Sequence, residues 1–248
     1  MEVPIASIVV YFVLLQVSFP LARMIYSALL SFSPFAEVPG ATGYFVEVGR
    51  DVALFVVVLP IFAIFLKWQS ISPRHIWITS RCNRRSLILS IVAGTAVVLL
   101  SWLFALAVYP KMNPLFELPP PKNPIDWRVT LFVFLITTSL VSIIEEYLFR
   151  GLLYRSLSQR ISVLYAGAVS ALVYSGLHVL TISEPTPFAA IHALFYHFLF
   201  GIAAVYIFEI SRSLNGPILM HITNNTLVAL IRYFLNVIPF EELGVELN

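Results

Sequence analysis

Seven apolar runs, each longer than the roughly 20 residues needed to cross the hydrocarbon layer of a bilayer, constrain this chain more than any other feature. They lie near residues 4–32, 44–67, 86–109, 129–155, 162–182, 187–209 and 214–238. An eighth crossing fits inside the first run, which Pro20 and Arg23 interrupt. Hydrophobic residues are 59% of the chain and charged residues 11%, with a mean hydropathy of +0.90. Soluble domains sit near 45–50% apolar. The expected fold class is therefore all-α, a multi-pass transmembrane helical bundle of about seven to eight spans.

Charge and cysteine usage exclude several classes. The formal net charge is +2 and no basic cluster with interleaved aromatics appears, so no nucleic-acid partner is expected. A lone cysteine, Cys82, excludes an internal disulfide framework and a multi-cysteine metal site. The first run lacks a basic leader and is too long for a cleaved signal peptide, so it reads as an anchor. No internal repeat supports an inverted-repeat transporter.

Loop charges set the expected orientation. Lys67, Arg74, Arg81, Arg84, Arg85, Arg150, Arg155, Arg160 and Arg212 gather on one side, nine cations in all. Arg50, Lys111, Lys122 and Arg128 make four on the other, among acidic residues such as Glu37, Asp51 and Glu117. The imbalance predicts a cytoplasmic N-terminus. An integral, multi-pass location follows, the cell membrane in a prokaryote or the endoplasmic reticulum in a eukaryote, with the lipid bilayer as a partner. The connection from Pro110 to Asp126 holds Pro119-Pro120-Pro121 and Pro124, and reads as a stiff extended spacer. Three parts result: 1–127, helices and loops of unassigned role; 128–238, core helices; 239–248, a short acidic tail.

Against this apolar background the polar residues stand out. Ile143-Ile144-Glu145-Glu146-Tyr147-Leu148-Phe149-Arg150 places two carboxylates late in the fourth run. A charge at the centre of a spanning helix costs about 2.5–3.5 kcal/mol on insertion scales. Glu146 and Arg150, at i and i+4, share a face in the favourable acid-first order. Glu145 lies about 100° around the helix and has no such partner. One carboxylate thus reads as structural and the other as available for chemistry.

The fifth run is small-sided through Ala166, Gly167, Ser170, Ala171, Ser175 and Gly176, so it should sit centrally and aim His178 into protein. Alone, such a histidine reads as a packing residue. With the hairpin turn near Ile161, however, Glu145 lies 16 residues before it and His178 17 after it. The two then share a depth on antiparallel helices and can converge on one water. In the last run His221 shares a face with Asn225 at i+4 and nearly so with Asn224 at i+3, and the spacing does not choose between them. Interhelical hydrogen bonding would explain that group equally well. His192 and His197, five apart, do not share a face and read as packing or headgroup-level residues, while His75 reads as solvated. Glu145, Glu146, His178 and His221 have the chemistry to hold zinc, but no H-E-x-x-H or other compact signature accompanies them, so neither metal nor other cofactor is expected. A depth conflict stands: His221 closely follows the Leu214-Asn215-Gly216-Pro217 break, whereas Glu145 and His178 count deeper. Either the break lies at depth in a protein-lined space, or the helix ends differ.

Glu145-Glu146-x-x-x-Arg150, then Tyr174-x-x-x-His178, then His221-x-x-x-Asn225 resemble the signature motifs of the CAAX prenyl protease and bacteriocin-processing family, also called Abi or type II CAAX proteases. Phe149-Arg150-Gly151-Leu152-Leu153-Tyr154, Phe198-x-x-Gly201 and Gly216-Pro217 agree with it. The resemblance spans residues 138 to 230 and none of the first 125. It implies an intramembrane glutamate endopeptidase acting on a membrane-associated protein or peptide, prenylated in some members. It further implies Glu145 as the base that activates water, His178 as its partner, His221 and Asn225 as the oxyanion pair, and Glu146 with Arg150 as structural. Tyr174 stands where the motif usually has Phe; it keeps the ring, adds a hydroxyl, and is expected to leave the chemistry unchanged. A desolvated carboxylate is a suitable base for water, and one oxyanion donor is worth about 2.7–4 kcal/mol. The alternative from another class is a non-catalytic membrane protein: a transporter, proton relay or immunity factor in which the same residues carry protons.

Overall fold

The computed structural model describes residues 83–112, 141–180 and 186–237, with isolated positions at 24, 56, 60, 61, 63, 64, 67, 68 and 139. Apart from those isolated positions, the expected first two spans, the basic loop with His75 and Cys82, the connection after Met112, Arg23, the Arg232 side chain and the acidic tail lie outside the described residues. Helix continues through Pro110 to Met112, where the sequence suggests that an extended connection begins. Every regular element among the described residues is helical. In chain order these are α1 (Arg84–Met112), α2 (the run 141–158), α3 (Val163–Leu180), α4 (Pro187–Ser211) and α5 (Asn215–Val237).

Among the described residues three segments are long and apolar enough to cross a membrane: Arg84–Val108, Val163–Leu180 and Pro187–Ser211. Leu99, Leu103 and Leu106 on α1, and Leu164, Leu172 and Leu180 on α3, are exposed to the outside of the described bundle, as lipid-facing side chains are. The chain is an integral membrane protein. The 23-residue α5, expected as a span over 214–238, carries more polar residues and is not among those three.

Local chemistry fixes the helix ends. The Asn83 side chain accepts from the Ser86 N–H at 2.8 Å and starts α1. Thr186 Oγ1 accepts from the Ala189 N–H at 3.1 Å, and Pro187 occupies the first turn of α4, where its missing N–H is harmless. Arg212 ends α4 in the left-handed region, φ 50°, with its N–H donating to the Phe208 carbonyl.

Two close approaches tie the helices together. A Cβ on Gly201 of α4 would come within 2.7 Å of Ala171 Cβ on α3. One on Gly94 of α1 would meet the Met220 carbonyl of α5 at 2.6 Å. Only hydrogen fits at either position, so the small residues set both contacts. Leu148, Leu152, Tyr174, Phe200, Phe208, Leu214 and Met220 fill the core between them.

One departure from the expected geometry bears on the site. The fourth run was read as a plain α-helix, but residues Tyr147–Tyr154 wind as a π-helix with every side chain buried. Ser170 Oγ on α3 donates to the Phe149 carbonyl inside this stretch at 3.1 Å, giving a widened backbone a partner that an α-helix would not need. The depth conflict over His221 also finds its resolution. Ser213 and Leu214, in the break between α4 and α5, are fully buried, so irregular backbone lies within protein. Tyr154 Oη, at the end of the π-helix, donates to Glu209 Oε1 in the last turn of α4 at 2.8 Å. That contact sets the last turn of α4, which leads into the break, beside Tyr154.

Candidate active site

Among the described residues Glu146 is the most enclosed charge, with a side chain 0% exposed beside an Arg150 that is 1% exposed. Its Oε1 accepts from Arg150 Nη1 at 3.0 Å and from His221 Nδ1 at 2.9 Å. Arg150 Nη2 also reaches the Gly201 carbonyl at 3.4 Å, and the guanidinium lies over the Tyr174 ring at 4.9 Å and the Phe200 ring at 5.4 Å. A carboxylate taken so far from water persists only with partners of this kind. Glu146 thereby ties α2 to α5 through His221, a link that an i,i+4 count within one helix does not contain.

Glu145 sits quite differently. Its side chain is 22% exposed, and Oε2 accepts from Tyr174 Oη at 3.1 Å. His178 Nε2 lies 3.8 Å from Oε1, and His221 Nε2 lies 3.8 Å from Oε2. Those separations are too long for direct hydrogen bonds and suit a bridging water. His178 itself is 25% exposed.

The partners of the other ring nitrogens assign the protons. His178 Nδ1 is 2.9 Å from the Tyr174 carbonyl, which can only accept, so Nδ1 carries hydrogen. His221 Nδ1 faces the Glu146 carboxylate, and the same reasoning places hydrogen there. When neutral, both rings therefore turn an unprotonated Nε2 toward Glu145. The hydroxyl that distinguishes Tyr174 from phenylalanine is not idle, since it is the donor to the Glu145 carboxylate.

The two asparagines separate. Asn224 Nδ2 donates to the Gly94 carbonyl at 3.4 Å, and Asn224 Oδ1 accepts from the Tyr196 hydroxyl, so Asn224 joins α5 to α1 and α4. Asn225 Nδ2 donates to Ser142 Oγ at 3.4 Å, on the turn of α2 that leads into Glu145. Glu145, His178 and His221 thus come together with Tyr174, and Asn225 lies on the α2 side of His221.

His197, read from sequence as packing, stacks on His178 with ring centroids 3.9 Å apart and planes 25° from parallel. Its spacing from His178 gives no hint of this. The usable signal lay in the small residues that set how α3 and α4 meet, Ala171 against Gly201. His192 lies elsewhere, its Nε2 2.9 Å from Ser101 Oγ and its ring 6.3 Å from Phe104. Among the described residues no group of three His, Cys, Asp or Glu side chains has the arrangement of a metal site.

Residues 126–227 match the family model described as type II CAAX prenyl endopeptidase Rce1-like. The matched segment contains Glu145, Glu146, Arg150, Tyr174, His178, His221 and Asn225. No curated protein and no solved structure matches the chain.

Proposed function

From the similarity of residues 126–227 to the Rce1-like type II CAAX prenyl endopeptidases, we propose that the chain belongs to that family and is an intramembrane glutamate endopeptidase. Its substrate is a membrane-associated protein or peptide of CAAX type, cleaved near its C-terminus. The observation that carries this reading is one partly exposed carboxylate, Glu145, with an imidazole Nε2 at 3.8 Å from each oxygen.

A water between Glu145 and His178 donates one hydrogen to the carboxylate and the other to His178 Nε2. Its oxygen lone pair then points outward to the scissile carbonyl. Glu145 takes a proton as the new C–O bond forms. The developing oxyanion is met by the amide of Asn225 and by the Nε2–H of His221, whose imidazolium form enters the cycle already carrying both ring protons, drawn from solvent, and gives neither up. Glu146 supports that imidazolium from the far nitrogen, so the buried carboxylate acts through His221. Collapse breaks the C–N bond, and the proton held by Glu145 passes to the departing amine. This sequence uses no metal and no nucleophilic side chain. A pair of imidazoles converging on one carboxylate supports hydrolysis better than a relay, in which successive groups would be strung along a path.

The test compares purified wild type, Glu145→Ala and His178→Ala on a prenylated CAAX peptide in detergent with chelator present. Cleavage is expected from wild type and from neither variant. Unchanged cleavage by either variant would refute the assignment.

A further inference from the structure

We propose that His197 is a positioning residue, which holds the His178 ring so that its Nε2 faces Glu145. The inference rests on the assignment of His178 to water activation. The hydrogen bond from His178 Nδ1 to the Tyr174 carbonyl joins residues four apart on the same helix, so it ties the ring to nothing beyond α3. One face of the imidazole meets the Tyr174 ring, also on α3, at 4.3 Å and a 48° tilt. Across the helix boundary, a flat face of the ring is met by the near-parallel stack on His197 of α4, at 3.9 Å.

His197 is itself braced. Its ring stands edge-on to Tyr174 at 5.6 Å and 69°, and to Tyr196 at 4.7 Å and 63°. The Tyr196 hydroxyl is fixed on Asn224 of α5, and Asn224 reaches the Gly94 carbonyl of α1. The orientation of His178 is thus referred, through His197, to three further helices. Burial adds a second argument. Two imidazoles stacked this closely will not both carry charge in a site of low dielectric. In the proposed reaction His178 accepts from the water through a neutral Nε2, which a charge stacked on its ring would disturb, so His197 contributes a neutral ring and not a charge. Its nitrogens are then dispensable and its flat face is not.

The distinguishing variants are His197→Phe, which keeps a flat ring, and His197→Leu, which does not. Two readouts are taken on the full chain in detergent micelles. With the prenylated CAAX peptide, His197→Leu should lower kcat by about tenfold or more with KM within about twofold, because misplacing a reacting group costs rate and not ground-state binding. His197→Phe should stay within about threefold of wild type in both parameters. The second readout is nitrogen NMR of ring-labelled histidine, with the His178 signals assigned through His178→Gln. Wild type and His197→Phe should give a single Nδ1–H tautomer for His178, and His197→Leu a mixture of tautomers.

A wild-type kcat and an unaltered His178 spectrum in His197→Leu would overturn the proposal. A His197→Phe variant as impaired as His197→Leu would also overturn it, since the imidazole nitrogens would then be what matters. If wild type cleaves no peptide, the endopeptidase reading fails, and the NMR comparison still decides whether His197 orients His178. If His197→Leu does not fold, His197→Phe and its His178 spectrum decide alone.

Discussion

Arg150→Met removes a buried guanidinium while keeping much of its length. In the structure that guanidinium supplies one of the two donors to Glu146 Oε1, at 3.0 Å, and both side chains are essentially sealed from solvent. Because both are buried, the pair escapes the screening that makes surface ion pairs weak. Removing one partner leaves an uncompensated buried carboxylate, a loss of about 3–5 kcal/mol. The cation–π contacts with Tyr174 and Phe200 disappear as well. Against a total stability of about 5–15 kcal/mol, that is a large fraction. Adding Glu146→Gln removes the orphaned charge, yet His221 Nδ1 retains an oxygen to donate to. The double variant should therefore be more stable than Arg150→Met alone, with a coupling of about 2 kcal/mol or more. Reversible unfolding of the four proteins in mixed micelles, followed by circular dichroism, measures the cycle. A loss under about 1 kcal/mol for Arg150→Met, or losses that simply add, would refute the view that this pair is a buried crosslink.

Further outcomes follow from the same geometry. Asn225→Ala should lower kcat by about 10²–10³ with little effect on unfolding, whereas Asn224→Ala should lower stability by about 1–3 kcal/mol and leave the kcat of folded protein near wild type. Paired kinetics and unfolding distinguish them, and the reverse pattern would mean the wrong asparagine has been assigned. Gly201→Ala forces a Cβ against Ala171 and should destabilise by about 1–3 kcal/mol. Gly176→Ala, where nothing lies within 4 Å of the added atom, should stay within about 1 kcal/mol of wild type in the same unfolding assay.

The legible part of this protein was the part governed by period and length. Apolar runs longer than a bilayer core gave α1, α3 and α4 to within a few residues. Counting rise from the turn near Ile161 put Glu145 and His178 at one depth, and their side chains lie 3.8 Å apart. Tertiary contacts governed the rest. Asn224 and Asn225 are nearly equivalent by spacing, and tertiary partners separate them: Asn224 binds the Gly94 carbonyl and the Tyr196 hydroxyl, and Asn225 binds Ser142. The π-winding of Tyr147–Tyr154 has no signature in residue spacing, because a stretch buried on all sides suits either helix. The stack of His197 on His178 depends on how α3 and α4 cross, which residue spacing does not encode. That Glu146 binds His221, and not Arg150 alone, required the buried break at Ser213 and Leu214 to bring α5 inward.

Attack by water itself, with Glu145 as the base, is best tested by cleaving the peptide in oxygen-18 water with hydroxylamine and chelator present. Direct attack predicts that every new C-terminus from wild type carries one labelled oxygen, that no hydroxamate forms, and that Glu145→Gln yields no product. Hydroxamate in the wild-type digest, or labelled product from Glu145→Gln at the wild-type rate, would contradict the account.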